Sequence, residues 1–313
     1  MVSILADIGG TNIRFATLNG GGKVGAVEAW LTALYPDFQT ALKSYLELTG
    51  APRPEAVALC AAGPLIRGRI KMTNCPWQLS QEALAQDLKT RVLLLNDFVA
   101  LAHAVPTLGA DDLRHWGGGA PDPNGQKLIL GPGTGLGVAG LAPAGEDAWK
   151  VMGGEGGHVS LSPQNPREIA LLYQLQQMFG HVSLERVLSG PGLENLMLAI
   201  AAIDGVAFKE KPRAEDIEIL AQKGDPVAQE AMSQFAAWLG AAAGDAALTL
   251  GATGGVYVAG GIVPQWGAKF DTALFRHRFE NKGRMRDYLA PVPTALVTAK
   301  DLAFRGLARA LQS

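Results

Sequence analysis

Apolar residues arrive in short blocks along this chain, and glycine or proline separates most of the blocks. Residues 2–8 form an apolar run that meets Gly9-Gly10-Thr11-Asn12 and resumes over residues 13–18. That is the pattern of a strand, a tight turn and a second strand. Phe38, Leu42, Tyr45, Leu46 and Leu48 then recur at helical spacing on roughly one face, and Gly50 is placed to close the helix. Residues 56–62 read as a strand ending at Gly63-Pro64. Ser80 fits the N-cap of a short helix carrying Leu84 and Leu88. Residues 91–95 read as a buried strand ending at Asn96-Asp97.

Between residues 106 and 124 the composition turns to Gly, Pro and Asp, which marks a boundary. Residues 128–141 (LILGPGTGLGVAGL) then repeat the strand, glycine turn, strand pattern. Setting Gly10-Thr11 on Gly133-Thr134 makes the two hairpins equivalent at an offset of 123 residues, as duplicated halves would. The second half is more helical. Asn165-Pro166 reads as an N-cap followed by proline at the first helical position, opening a helix through Phe179. Asp225-Pro226 repeats the signal before a helix of roughly 15–25 residues. A strand over residues 256–259 lies between Gly254-Gly255 and Gly260-Gly261, and residues 303–311 form a short amphipathic helix. Strands alternating with helices indicate an α/β protein.

Length and composition narrow this further. At about 150 residues per domain, 313 residues suggest two domains. A hydrophobic content of 48% supports a large core and excludes general disorder. The 39 glycines have no three-residue period, which excludes a collagen-like fibre. The net charge of −2 supplies no positive field for nucleic acid or an anionic membrane, so neither is expected as a partner. Two cysteines, Cys60 and Cys75, are too few for a disulfide scaffold or a cysteine-rich zinc site. The uncharged stretch 246–264 carries five glycines in nineteen residues, which argues against a membrane helix. The N-terminus lacks the basic start and long apolar run of a signal peptide, so an intracellular protein is expected.

Several segments are candidates for chemistry. In Asp7-Ile-Gly-Gly-Thr-Asn12, glycines let backbone N–H groups approach an anion, Thr11 adds a hydroxyl, and Asp7 can serve Mg²⁺ through water. An ordinary hairpin turn explains the same residues. The second loop, residues 131–137, lacks the Lys-Ser/Thr ending of a P-loop and sits between strands rather than before a helix. Two Gly-Thr turns would clamp a phosphate chain from both sides. Asp97 follows a strand of Val and Leu, at the strand end where ligands bind in α/β sheets, and can accept a proton from a substrate hydroxyl. Asn96-Asp97 equally suits a helix N-cap. Gly153-Gly-Glu-Gly-Gly-His158 sets an acid and a histidine among four glycines, suited to vicinal hydroxyls such as a sugar presents. A surface turn is the alternative. Glu185 alone reads as a solvated helix-face residue, although Gly190-Pro191-Gly192 beside it suggests a shaped loop. The remaining histidines show no partner pattern.

Together these segments resemble a bacterial-type glucokinase, a family whose fold is shared with hexokinases, actin and heat-shock chaperone ATPases. The resemblance covers nearly the whole chain. It rests on seven ordered segments: LADIGGTN (5–12), MTNCPW (72–77), LNDF (95–98), the glycine loop 131–137, GEGGHV (154–159), ERVLSG (185–190) and GGVYVAGGI (254–262). It implies a two-domain actin-like ATPase (ribonuclease H-like) fold with a cleft between the domains. The small α/β domain would comprise residues 1–107 plus 298–313, and a large α+β domain residues 108–297. It implies ATP- and Mg²⁺-dependent phosphorylation of the 6-hydroxyl of glucose, with Asp97 as the base. Asn96, Asp97, Glu155, His158 and Glu185 would hold the sugar, His158 and Glu185 toward its anomeric end. Asp7 would serve Mg²⁺. Gly9, Gly10, Thr11, Asn12, Gly133, Thr134 and Gly135 would surround the phosphates, and Gly255 and Gly260 would lie near the nucleotide. A cytoplasmic homodimer is the family's usual form.

The related repressor/open-reading-frame/kinase family carries a histidine and cysteine cluster for structural zinc. Here Val-Ser-Leu-Ser-Pro163 follows His158, so zinc is not expected. Two other readings stand beside glucokinase. One is a kinase for mannose, fructose or an amino sugar. The other is a non-catalytic sugar sensor, which would carry an N-terminal helix-turn-helix; the hairpin starting at residue 2 leaves it no room.

Overall fold

The structure is a computed structural model and describes residues 2–72 and 75–312. The chain divides into two compact units. The first comprises Met1–Gly109, Val151–Gly154 and Ala299–Ser313; the second comprises Ala110–Lys150 and Glu155–Thr298.

The first unit is built on strands β1 (Val2–Ile8), β2 (Asn12–Asn19), β3 (Glu28–Leu31), β4 (Ala56–Ala61) and β7 (Arg91–Asn96), in the order β3-β2-β1-β4-β7. β1 and β2 form the antiparallel hairpin expected from the apolar runs, while β4 and β7 join in parallel. A small ribbon of β5 (Arg69–Lys71) and β6 (Gln78–Ser80) stands apart from that sheet. Thr73 and Asn74 of the MTNCPW segment lie outside the described residues. Helix α1 (Phe38–Thr49) starts at Asp37, whose carboxylate accepts the Thr40 N–H, and ends at Gly50 in the left-handed region. Its Phe38, Leu42 and Tyr45 are buried, but Leu48 is 74% exposed. At a strict 100° per residue Leu48 falls outside the stripe that faces the sheet, which corrects the sequence expectation. Helix α2 (Gln81–Leu88) is capped by Ser80, and α3 (Asp97–Ala104) by Asn96.

The second unit contains β8 (Leu113–Gly117), β9 (Lys127–Pro132), β10 (Leu136–Pro143), the start of β11 (Trp149–Gly154), β12 (Val256–Val258) and β13 (Thr294–Val297). Its sheet runs β11-β10-β9-β12-β13-β8. The first five strands repeat the first unit's order: an antiparallel hairpin whose leading strand pairs in parallel with a later strand, which pairs in parallel with another. The short Gly-Thr repeat in the sequence thus marks a repeated sheet. β8 was not legible within the Gly/Pro/Asp-rich stretch. None of its residues is fully buried, and it exists through antiparallel pairing with β13.

Helices α4 (Pro166–Phe179), α5 (Gly190–Asp204), α6 (Ala214–Gln222), α7 (Pro226–Leu250), α8 (Ile262–Trp266), α9 (Thr272–Glu280) and α10 (Arg286–Leu289) complete the second unit. Asn165 and Asp225 cap α4 and α7 by accepting the N–H groups of Glu168 and Ala228, at 2.9 Å and 2.8 Å. The core of this unit gathers Phe235, Trp238 and Leu239 of α7 with Leu193 and Leu196 of α5 and Phe275 and Phe279 of α9. Helix α11 (Leu302–Gln312) returns to the first unit and packs Phe304 and Leu307 against Leu5 and Ala100.

Candidate active site

In the first unit three parallel strands end side by side. The register sets Asp7 of β1 beside Cys60 of β4, and Cys60 beside Leu95 of β7, so Asp7 and the Asn96-Asp97 pair share one sheet edge. This is the carboxyl edge, where strand ends leave room for a ligand. The first glycine turn closes over it. Gly9 N–H donates to Asn12 O at 2.8 Å, and the Thr32 N–H donates to Thr11 O at 2.9 Å, bracing the turn from the segment after β3. Gly10, Thr11 and Asn12 are exposed at its tip.

Asp7 is not a bare carboxylate. Arg14 donates to its Oδ2 from Nε at 3.1 Å and also from Nη2, and the Cys60 thiol lies 3.5 Å from Oδ1. Arg14 further reaches Asp301 Oδ1 at 3.2 Å and stacks 5.4 Å over the Phe304 ring. Arg14 is Asp7's direct cross-strand partner and was missed in the sequence. Opposite charges placed symmetrically about a tight hairpin turn were the available signal. Burial pushes the Cys60 thiol well above its ordinary range, and the Asp7 and Asp97 charges push it further. The protonated thiol donates to the Asp7 carboxylate.

Asn96 is the helix N-cap that the sequence offered as one of its two readings. Its Oδ1 caps α3, accepting from Phe98 N–H at 2.9 Å and Val99 N–H at 3.2 Å, and its Nδ2 donates to Gly63 O at 3.1 Å. Asp97 is the first residue of α3, half-buried, with Oδ1 accepting the Phe98 N–H at 2.9 Å. The cap fixes the backbone at the start of α3, from which the Asp97 carboxylate projects.

The second unit assembles the remaining candidates around the turn between β9 and β10. Gly133 N–H donates to Gly135 O at 2.8 Å, closing a tight loop with Thr134 exposed. Gly190 N–H donates to Gly133 O at 2.9 Å, and Leu136 N–H donates to Glu185 Oε2 at 2.9 Å. Glu185 sits in the 3₁₀ turn Leu184–Arg186, not on a helix face. The Glu155 loop continues into the 3₁₀ turn Gly156–His158. There Gly157 abuts the Leu136 carbonyl so closely that a Cβ would overlap it. Leu184 N–H donates to Val159 O at 2.9 Å. The segments that carry His158, Glu185 and the second Gly-Thr turn are thus joined through their backbones, with Glu155 at the head of the 156–158 turn and both Glu155 and His158 exposed.

Gly260 belongs to this edge as well. It adopts φ +86° after β12 and lies against Pro132 O, leaving no room for a side chain. Gly255 does not. It stands at the opposite end of β12, where its carbonyl accepts the Leu128 N–H at 3.0 Å and its φ of +116° turns the chain into the strand. Four residues, three of them the strand β12, lie between the two, which sets them up to about 16 Å apart.

The glucokinase family profile matches residues 4–313. A glucokinase of Chromobacterium violaceum is 44% identical over 306 residues, covering 97% of this chain and 88% of that protein. A Paraburkholderia xenovorans protein named "Bifunctional protein glk" is 42% identical over 98% of this chain, which spans only 48% of that longer relative. Among solved structures, a glucokinase from an Antarctic psychrotroph has a TM-score of 0.88 at 35% identity, covering 99% of this chain and 98% of that one. The two α/β units are those of the actin-like ATPase (ribonuclease H-like) fold. With its profile match running from residue 4 to residue 313, this chain belongs to the glucokinase family.

Proposed function

We propose that this protein transfers the γ-phosphoryl group of ATP to the 6-hydroxyl of D-glucose. The observation that carries the reading is Asp97, a carboxylate whose backbone is fixed by the Asn96 cap just past the carboxyl end of β7, on the same sheet edge as Asp7 and the first glycine turn. In phosphoryl transfer the protein contributes positioning and charge stabilisation more than covalent chemistry. Asp97 takes the proton of the 6-hydroxyl as that oxygen attacks phosphorus. Asn96, Glu155, His158 and Glu185 hold the other sugar hydroxyls. Gly9, Gly10, Thr11 and Asn12 in one turn, and Gly133, Thr134 and Gly135 in the other, offer backbone N–H and hydroxyl donors to the phosphates, with Gly260 toward the nucleotide.

Asp7 suits Mg²⁺ held through water. Its Oδ2 is engaged by Arg14, and among the described residues no group of three His, Cys, Asp or Glu side chains forms a metal cage. Mg²⁺ takes few protein ligands and keeps several waters while binding phosphate oxygens. When bound it neutralises phosphate charge.

The assembly proposed is a cytoplasmic homodimer, checked by light scattering and cell fractionation. Among the described residues no helix is long and apolar enough to cross a membrane. The activity is tested by ADP release from the purified protein with glucose, mannose, fructose and an N-acetylated amino sugar. Glucose should give the highest kcat/KM. ADP release only with another sugar would transfer the assignment to that sugar. Binding of DNA in response to glucose, without ADP, would identify a sensor instead.

A further inference from the structure

The Leu136 peptide joins two groups of residues that the proposed reaction uses for different ligands. Its N–H donates to Glu185 Oε2 at 2.9 Å, and its carbonyl lies against Gly157, between Glu155 and His158. On the N-terminal side it continues directly into Thr134 and Gly135 of the phosphate turn. The same turn is bonded a second time through Gly190 N–H to Gly133 O. Gly190 follows Ser189, whose hydroxyl donates to the Glu185 carbonyl at 2.8 Å and accepts the Gly192 N–H at 2.9 Å. Glu185 therefore touches the phosphate turn with its side chain and is tied to it again through its own backbone.

Gly135 makes the first of these links possible. A Cβ at this position would overlap Glu185 Oε2. Only a glycine there lets the carboxylate reach the Leu136 N–H. Oε2 accepts from the loop, so a sugar hydroxyl would be met by Oε1 of the same carboxylate.

We infer that Gly135 and Glu185 form a coupling device: sugar held on the Glu185 carboxylate orders the second phosphate turn through the Leu136 N–H, so that sugar and nucleotide bind cooperatively. This rests on the proposed assignment of Glu185 to the sugar and of residues 133–135 to the phosphates. The mechanism needs no rearrangement. A carboxylate fixed by a sugar hydroxyl is a better-placed acceptor, so the loop loses less freedom when the phosphates arrive. By linkage the effect is reciprocal, and nucleotide must tighten sugar binding by the same factor.

The test uses a non-hydrolysable β,γ-imido analogue of ATP with Mg²⁺, and its Kd measured by calorimetry without glucose and at saturating glucose. The wild-type ratio of the two values should be about tenfold, within the usual range for coupled sites. Gly135→Ala should bring it to within about twofold of unity. Gly135 has no left-handed backbone angle, and the atom its new Cβ would meet is the far end of a flexible side chain, so the variant should fold. Glu185→Asp, which keeps the charge but shortens the reach, should lose the coupling in the same way. A merely structural role would lower Tm and weaken both ligands in parallel, leaving the ratio unaltered. A wild-type ratio near one, or a ratio kept in both variants, overturns the inference. If the wild-type protein forms ADP with glucose in that case, the proposed function stands. If it forms none, both fall.

Discussion

Arg14 and Asp7 face each other directly across the first hairpin, and the guanidinium holds one carboxylate oxygen with two of its nitrogens. The relationship means that the acid proposed to serve Mg²⁺ is oriented before any ligand arrives. Asp301 and Phe304 hold Arg14 from its other side, so the C-terminal helix takes part in that orientation.

Replacing Arg14 should therefore act on the metal more than on the fold. The pair is partly exposed, so Arg14→Ala should cost about 1 kcal/mol or less of stability. Loss of the group that orients a metal-serving carboxylate should raise the Mg²⁺ concentration for half-maximal activity by about 10–100-fold. Titrating Mg²⁺ at fixed ATP while following ADP formation checks this. An unchanged Mg²⁺ requirement would remove Arg14 from the site.

Asp97→Asn keeps the shape and the Phe98 N–H acceptor but cannot take a proton. Glucose binding should stay within a few-fold, while kcat should fall by roughly 10²–10⁴, the usual worth of a general base. Steady-state kinetics with glucose binding measured in parallel separates the two. Full turnover in this variant would discard the assignment.

Glu168 should govern acid stability. It is buried in the second unit and bound by Arg278, Trp238, Gln234 and the Gln164 N–H. Burial alone would raise its pKa, but the bonds from Arg278, Gln164 and Gln234 outweigh this and hold it below the ordinary range. A carboxyl with a depressed folded-state pKa contributes stability above its unfolded value, about 4.3, and loses it as pH falls through the folded value. Glu168→Gln leaves the Arg278 charge buried without its partner. It should cost about 3–5 kcal/mol at pH 7 and flatten the acid limb of Tm against pH. Calorimetry from pH 7 down to pH 3 follows both effects.

Gly306 in α11 lies against the carbonyl of Ala100 in α3, and a Cβ there would overlap that backbone atom. Neither partner is a flexible side-chain end, so the helices must separate. Gly306→Ala should destabilise by about 1–3 kcal/mol or more, read as a lower Tm. A variant as stable as the parent would show that α11 has freedom to shift.

Much of this protein is set by short-range signals, and those were legible. Asn165, Asp225, Ser80 and Asn96 cap the helices they precede because a side-chain oxygen and an N–H two or three residues ahead settle the matter locally. The two Gly-Thr turns follow equally from apolar runs broken by glycine. Other features needed the chain to fold back on itself. β8 exists through its partner β13, Leu48 faces outward because of where α1 meets its sheet, and Gly255 and Gly260 are parted by the direction of β12. The Leu136 N–H finds its acceptor 49 residues later in the sequence. A main-chain N–H carries no mark of its partner, and a carboxylate such as Glu185 looks the same in water as in a site. Residue type fixed what chemistry each side chain can do; strand order and close approach of backbone decided which of them do it together.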